Sequence, residues 1–231
     1  MKIRMFGING FQIMAMALGL MTTNAFASPK TINFATGQDS NGNIQLTGNS
    51  LDANWKESNA VSPISPPNSY VVAPNNADWG NPPSGLPGWF SNGPDSSWIA
   101  PNPNDAHGNG NYTLTYTFNL AGYDLNTASF NNLQWAIDDG GSVQLNGHTE
   151  ASLPTPGDSW AAFHPLSIPV SHLAQTINTL AITSIGSDTN IEAARLEGTL
   201  TISPIPEPET YAMLLAGLGL VGFITRRRKS D

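Results

Sequence analysis

Residues 111–120, NYTLTYTFNL, alternate with a period of two. Tyr112, Leu114, Tyr116, Phe118 and Leu120 fall on one side of an extended chain, and Thr113, Thr115, Thr117 and Asn119 on the other. A helix would scatter those apolar residues around its axis, whereas a strand collects them on one face that must then be covered. Threonine and aromatic residues favour the pleated conformation as well. Leu133, Trp135 and Ile137 repeat the alternation, and Val143–Leu145 runs into Asn146-Gly147. Asn-Gly between extended runs predicts a two-residue hairpin, because both turn positions need positive φ. Further strands are expected at 163–168, 179–185 and 192–202, the last with Ala194, Leu196, Leu200 and Ile202 on one face. Shorter ones are expected at 31–34, 44–46, 54–57 and 70–72, and a single helical turn at 170–175. No helical pattern alternates with these strands, which disfavours a doubly wound sheet. The expected fold is all-β: an antiparallel, jelly-roll-like β-sandwich.

The charge distribution narrows the choice of partners. The chain has a net charge of -8, but six of its nine basic residues lie near the ends: Lys2, Arg4, Arg226, Arg227, Arg228 and Lys229. Between residues 28 and 205 only Lys30, Lys56 and Arg195 oppose fourteen carboxylates. Such a body repels phosphate backbones and anionic lipid surfaces, so nucleic acid is not an expected partner. The chain has no cysteine, which removes disulfides, thiolate nucleophiles and Cys-based zinc sites together.

The two ends read as targeting segments. Residues 1–27 have the order of a secretory signal peptide. Lys2 and Arg4 supply the positive region, FQIMAMALGLM the apolar core, and Ala25 and Ala27 the small residues that signal peptidase reads, so the mature chain would begin at Ser28. At the other end, residues 204–231 join a proline-fenced acidic stretch to an apolar run, Tyr211–Thr225, and then to Arg226-Arg227-Arg228-Lys229. At ~1.5 Å per residue that apolar run would span only ~22 Å, short of a ~30 Å hydrocarbon core. The basic cluster offsets this, since it holds the C-terminal end on the cytoplasmic side and its long side chains can snorkel. The expectation is a C-terminal single transmembrane helix.

This tripartite order resembles the PEP-CTERM sorting domain, with Pro206-Glu207-Pro208 as the motif. The stretches TGQDSNGNIQLTGNSLDANW, SSWIAPN, YTLTYTFNLAGYDLNTASFNNLQWAIDDGGSVQLNG and NTLAITSIGSDTNIEAARLEG are similar to the ectodomains of PEP-CTERM surface proteins. Those ectodomains in turn resemble the galactose-binding-like β-sandwich of carbohydrate-binding modules. The resemblance implies handling by an exosortase, a membrane-embedded cysteine transpeptidase-like enzyme, in a Gram-negative bacterium that makes exopolysaccharide. It implies three parts: the signal peptide 1–27, the ectodomain 28–203 and the sorting signal 204–231. It also implies an inner-membrane intermediate, then release or re-attachment at the cell surface or in the biofilm matrix.

The body itself offers few chemical signals. Trp79, Trp89 and Trp98 cluster in a long stretch rich in Pro, Gly and Asn. Exposed rings there could stack on sugars; Trp98 reads as the core member, which leaves Trp79 and Trp89 as the ligand-binding candidates. Asp138-Asp139-Gly140-Gly141 reads first as a turn, since neighbouring carboxylates on an extended chain point apart and cannot flank a glycosidic bond. Asp138 and Asp139 are the remaining candidates for the structural calcium common in this sandwich class. His107, His148, His164 and His172 are scattered, without metal-ligand spacing. Gly217–Gly222 matches a dinucleotide-binding glycine pattern but lacks the strand that should precede it. The expected protein is therefore not an enzyme and needs no cofactor. It is an exported surface or matrix protein that binds exopolysaccharide, the alternatives being a structural or adhesive protein without a small ligand, and a secreted hydrolase.

Overall fold

Asn146 and Gly147 adopt φ of 51° and 84°, and the turn they form joins strand β7 (Gly140–Leu145) to β8 (His148–Leu153), the hairpin that Asn-Gly demands. The structure is a computed structural model, described here for residues 28–58, 68–72, 90–101, 111–155, 159–186, 192–206 and 208–228. The remaining strands are β1 (Lys30–Asn33), β2 (Lys56–Glu57), β3 (Tyr70–Val71), β4 (Ile99–Ala100), β5 (Tyr112–Asn119), β6 (Tyr123–Ile137), β9 (His164–Pro165), β10 (Ile177–Ile185) and β11 (Ala194–Pro204). One sheet runs β3-β4-β11-β6-β9, with β1 also on β11; the other runs β2-β5-β10-β7-β8. Every strand pairing is antiparallel.

The two sheets share one core. From β5, Tyr112, Leu114, Phe118 and the following Leu120 are buried, as the alternation requires. Val143, Leu145, Leu180 and Ile182 join them from β7 and β10, and Ile32, Trp135, Ile137, Leu196, Leu200 and Ile202 come from the other sheet. Phe34 crosses between the layers and meets Tyr116 and Phe118 edge-on at 5.5 and 5.3 Å, the arrangement that ring quadrupoles prefer. Trp55 is fully buried and donates its indole N–H to the Phe34 carbonyl at 3.1 Å. Asp52 anchors this corner: its carboxylate accepts the backbone N–H groups of Gly37, Asn54 and Trp55 at 2.5, 2.8 and 2.9 Å. Strands, core clusters and loops fall within one compact unit, Pro29–Pro204.

Strand β6 is where the fold exceeds its expectation. It covers 15 residues, of which the alternation marked only the stretch from Leu133. Its register against β11 slips twice, between Glu197 and Thr199 and again between Thr201 and Ser203. At the first slip Asn132 takes φ 52°, so Asn132 and Leu133 together oppose Gly198. Such bulges break the period-two signal that a sequence reader follows. Other expected strands shrink: Ile44 makes only an isolated bridge to Gln38, and the run 163–168 contributes just His164–Pro165. The expected helical turn is a 3-10 turn at Val170–His172.

The C-terminal segment is a helix, α1 (Pro208–Arg228), whose apolar residues are distributed all round its axis. Leu214, Leu215, Leu218, Val221 and Phe223 are exposed. A C-terminal helix forms as expected, and among the described residues no helix is long and apolar enough to cross a membrane. In the sequence Glu209 and Arg226–Arg228 bound this apolar run on either side.

Gly198 has φ 126°, and a Cβ there would come within 2.6 Å of Leu133 Cδ2 and 2.8 Å of Leu133 Cα. Gly122 has φ 85° but open space around it. Gly198→Ala should therefore cost about 3 kcal/mol, combining backbone strain with overpacking, and Gly122→Ala about 1 kcal/mol of strain alone. Urea unfolding of the two variants checks the difference.

Candidate functional site

The tail is the first candidate. Strand β11 ends at Pro204, Ile205 and Pro206 follow without regular structure, and Pro208 opens α1. The prolines account for this break. Each lacks an N–H for a ladder and restrains the residue before it to an extended form, while proline is well tolerated in the first turn of a helix. Pro204 and Pro206 thereby end the ladder before α1 begins. Arg226, Arg227 and Arg228 fall in the last turn of α1, where cations complement the helix dipole. Glu207 and Lys229 lie outside the described residues, as do Ala25 and Ala27 of the expected signal cleavage site.

The second candidate is the outer face of the first sheet. Trp79 and Trp89 lie outside the described residues. Trp98 is fully buried, its indole N–H donating to the Phe90 carbonyl at 2.9 Å. Val72, Trp98, Ala100, Ala136 and Ala193 form a small second core there, flanked by Phe90, Trp160 and Phe163. Arg195 lies across this face, 3% exposed. Its guanidinium stands 4.8 Å from the Phe90 ring centroid and 4.9 Å from that of Phe163. Nε donates to Ser96 Oγ at 2.7 Å, and a terminal nitrogen to the Ser91 carbonyl at 2.7 Å. Ser96 Oγ in turn donates to Glu197 Oε2 at 2.8 Å, and Gln134 Nε2 donates to Glu197 Oε1. Burial lowers the Arg195 guanidinium to about 10, with Glu197 and Asp95 opposing the fall, so it remains charged at neutral pH. This clamp ties residues 90–98 to β11. The sequence signal for it was a lone cation flanked by Ala194 and Leu196.

Asp138 and Asp139 occupy the tight turn between β6 and β7. Asp139 has φ 55° and donates its N–H to Asp138 Oδ1 at 3.0 Å. A Cβ on Gly141 would lie 2.1 Å from the Thr183 carbonyl oxygen, so the glycines are there for close backbone approach. Among the described residues no group of three or more His, Asp or Glu could hold a metal ion. The fold does gather two of the scattered histidines. The His148 and His172 rings stack at 4.2 Å, and Glu150 Oε1 bonds His172 Nδ1 at 2.7 Å. In the buried interior Ser184 Oγ donates to Glu192 Oε2 at 3.1 Å. Burial, with Glu192 nearby, raises the Tyr112 phenol well above its usual range, so it stays protonated.

Comparison with known protein families matches residues 204–229 to the PEP-CTERM protein-sorting motif. No curated protein and no solved structure matches the chain. The chain thus carries a motif that indicates an exported bacterial protein, processed by an exosortase and sorted to the cell surface.

Arg195→Ala removes both donors and leaves Phe90 and Phe163 without the cation between them. The expected loss is about 3 kcal/mol, read as a lower urea midpoint. Arg195→Lys, which keeps the charge without the planar fork, should recover less than half of it.

Proposed function

We propose that the sorting segment passes through an inner-membrane intermediate in a Gram-negative bacterium, and that the β-domain then works at the surface or in the matrix by binding polysaccharide rather than by catalysis. The observation that carries this reading is the order of parts within one segment: proline-fenced motif, apolar helix, arginine cluster. A signal peptide at 1–27 would place residues 28–203 outside, and the arginines would keep the far end inside. The shortness of the apolar run suits a temporary insertion, with Arg226–Arg228 snorkelling to the interface.

The polysaccharide part rests on the resemblance to galactose-binding-like jelly-rolls and on the acidic body, which disfavours polyanions. Trp79 and Trp89 are the stacking residues in this reading. A second reading, a structural or adhesive matrix protein without a small ligand, draws on Trp98, which is buried in a core rather than offered to a ligand.

Replacing Pro206, Glu207 and Pro208 with alanines should leave an unprocessed chain held in the membrane fraction. Cell fractionation and intact-mass measurement read the outcome, and unchanged processing with unchanged location would overturn the sorting reading. On a glycan array, the exported protein purified from the cell surface should bind polysaccharides, and Trp79→Ala with Trp89→Ala should weaken that binding about tenfold, by loss of stacking. Binding to no glycan, the host's own polysaccharide included, sinks the ligand reading and leaves the structural one.

A further inference from the structure

Between β1 and the far end of β5 lies an open groove of about 510 Å³. Its position follows from the pairing. Strand β2 covers β5 only at Leu114 and Thr115, and β1 pairs only with β11, so two sheet edges are left beside each other. Asn33, Gln38 and Asn119 line this groove together with Thr31, Thr117 and Tyr116.

Gln38 is the informative member. It is 3% exposed, its Oε1 accepts from Asn54 Nδ2 at 2.8 Å, and its own amide NH2 meets no acceptor among the described residues. The donor opens onto the groove rather than into the core, so an acceptor on a ligand would take the place of water there. Asn33 and Asn119 stand exposed at the rim of the groove. Their Oδ1 atoms are held by the N–H groups of Ala35 and Ala121 at 3.0 and 2.8 Å, and their NH2 groups have no acceptor among the described residues. Tyr116 is half-buried, its ring braced by Phe34 at 5.5 Å and Trp55 at 5.6 Å. Its hydroxyl makes no hydrogen bond among the described residues. Burial first and Asp52 second raise its pKa, so it is a neutral donor.

No carboxylate lines the groove, and its lone cation, Lys30, is engaged with the Asn119 carbonyl and the Tyr123 ring. An apolar ligand would leave the amide donors unsatisfied, and a single lysine in a body with fourteen carboxylates is a weak attraction for an anion. A polyhydroxylated neutral molecule matches both features, because its oxygens accept from amides while its C–H face lies on an aromatic ring. The volume is within the range of about 300–1,000 Å³ usual for small-ligand clefts.

We propose that this groove is a saccharide subsite, binding the hydroxyls of a neutral sugar chain through Asn33, Gln38 and Asn119 with a sugar ring against Tyr116. It rests on the polysaccharide reading above but draws on residues other than Trp79 and Trp89. The test is affinity electrophoresis of the exported protein through gels containing dextran, a β-1,3-glucan or a galactomannan. The first variant, Asn33→Ser with Asn119→Ser, keeps an oxygen for the Ala35 and Ala121 N–H groups while removing the carboxamides. The second, Thr117→Leu, puts apolar bulk at an exposed position of the groove and guards against a folding defect in the first. Retardation of the wild type by one of these polymers, weakened about tenfold in both variants at unchanged Tm, is the expected result. Retardation equal in wild type and variants overturns the groove while leaving the polysaccharide reading intact. A wild type retarded by none of the three overturns the groove, and the glycan array separately decides the broader reading.

Discussion

The rest of the β-domain depends on how β11 disposes of its backbone hydrogen bonds. A strand within a layered domain must pair along both edges or leave polar groups stranded. Along one edge β11 pairs with β6 from Ala194 to Pro204. Along the other it takes β1 at residues 199–202 and β4 at Ala194, with Thr36 N–H on the Leu196 carbonyl at 2.9 Å and Phe34 N–H on the Gly198 carbonyl at 3.0 Å between them. Segments from the start, middle and end of the domain are thereby brought onto one strand. The alternation along β11 then settles the layers: Leu196, Leu200 and Ile202 face the shared core, while Arg195 and Glu197 face out.

That outward pair explains why the first sheet has covering segments. A guanidinium at 3% exposure needs partners, and Ser91, Ser96, Phe90 and Phe163 supply them from two stretches of loop. The second sheet has a different outer surface. Thr113, Thr115, Thr117, Thr179, Ala181, Thr183, Ser142 and Gln144 make it polar and uncharged along its three central strands. The groove lies where neither covering segments nor strand pairing closes the gap between layers.

Much of this was legible in the sequence where the signal was local. Strand β5 forms as its alternation required, Asn146-Gly147 makes its hairpin, and Trp98 is buried. The first half of β6 was not legible, because bulges at Asn132 and beyond disrupt the period of two. Strands β2 and β3 lie within the expected runs 54–57 and 70–72, whereas β4, with two residues, has no period to read and forms on the edge that β11 offers. The tail forms the expected C-terminal helix, with its apolar run bounded in sequence by Glu209 and the arginines. Asp138 and Asp139 occupy a turn, whereas His148, His172 and Glu150 meet across a distance in sequence that no motif marks.

The sequence by itself determined the sorting segment and the all-β class. A linear motif is read as an extended chain, and strand patterning depends on neighbours two residues apart, so both are complete in the primary structure. Only the tertiary structure decided the Arg195 clamp and the Gln38 groove. Their parts stand at residues 90–98 and 195 in one case, and at 33, 38, 116 and 119 in the other. What joins them is strand register: hydrogen-bond pairing between distant segments sets which side chains become neighbours, and that information is in no single stretch of the chain.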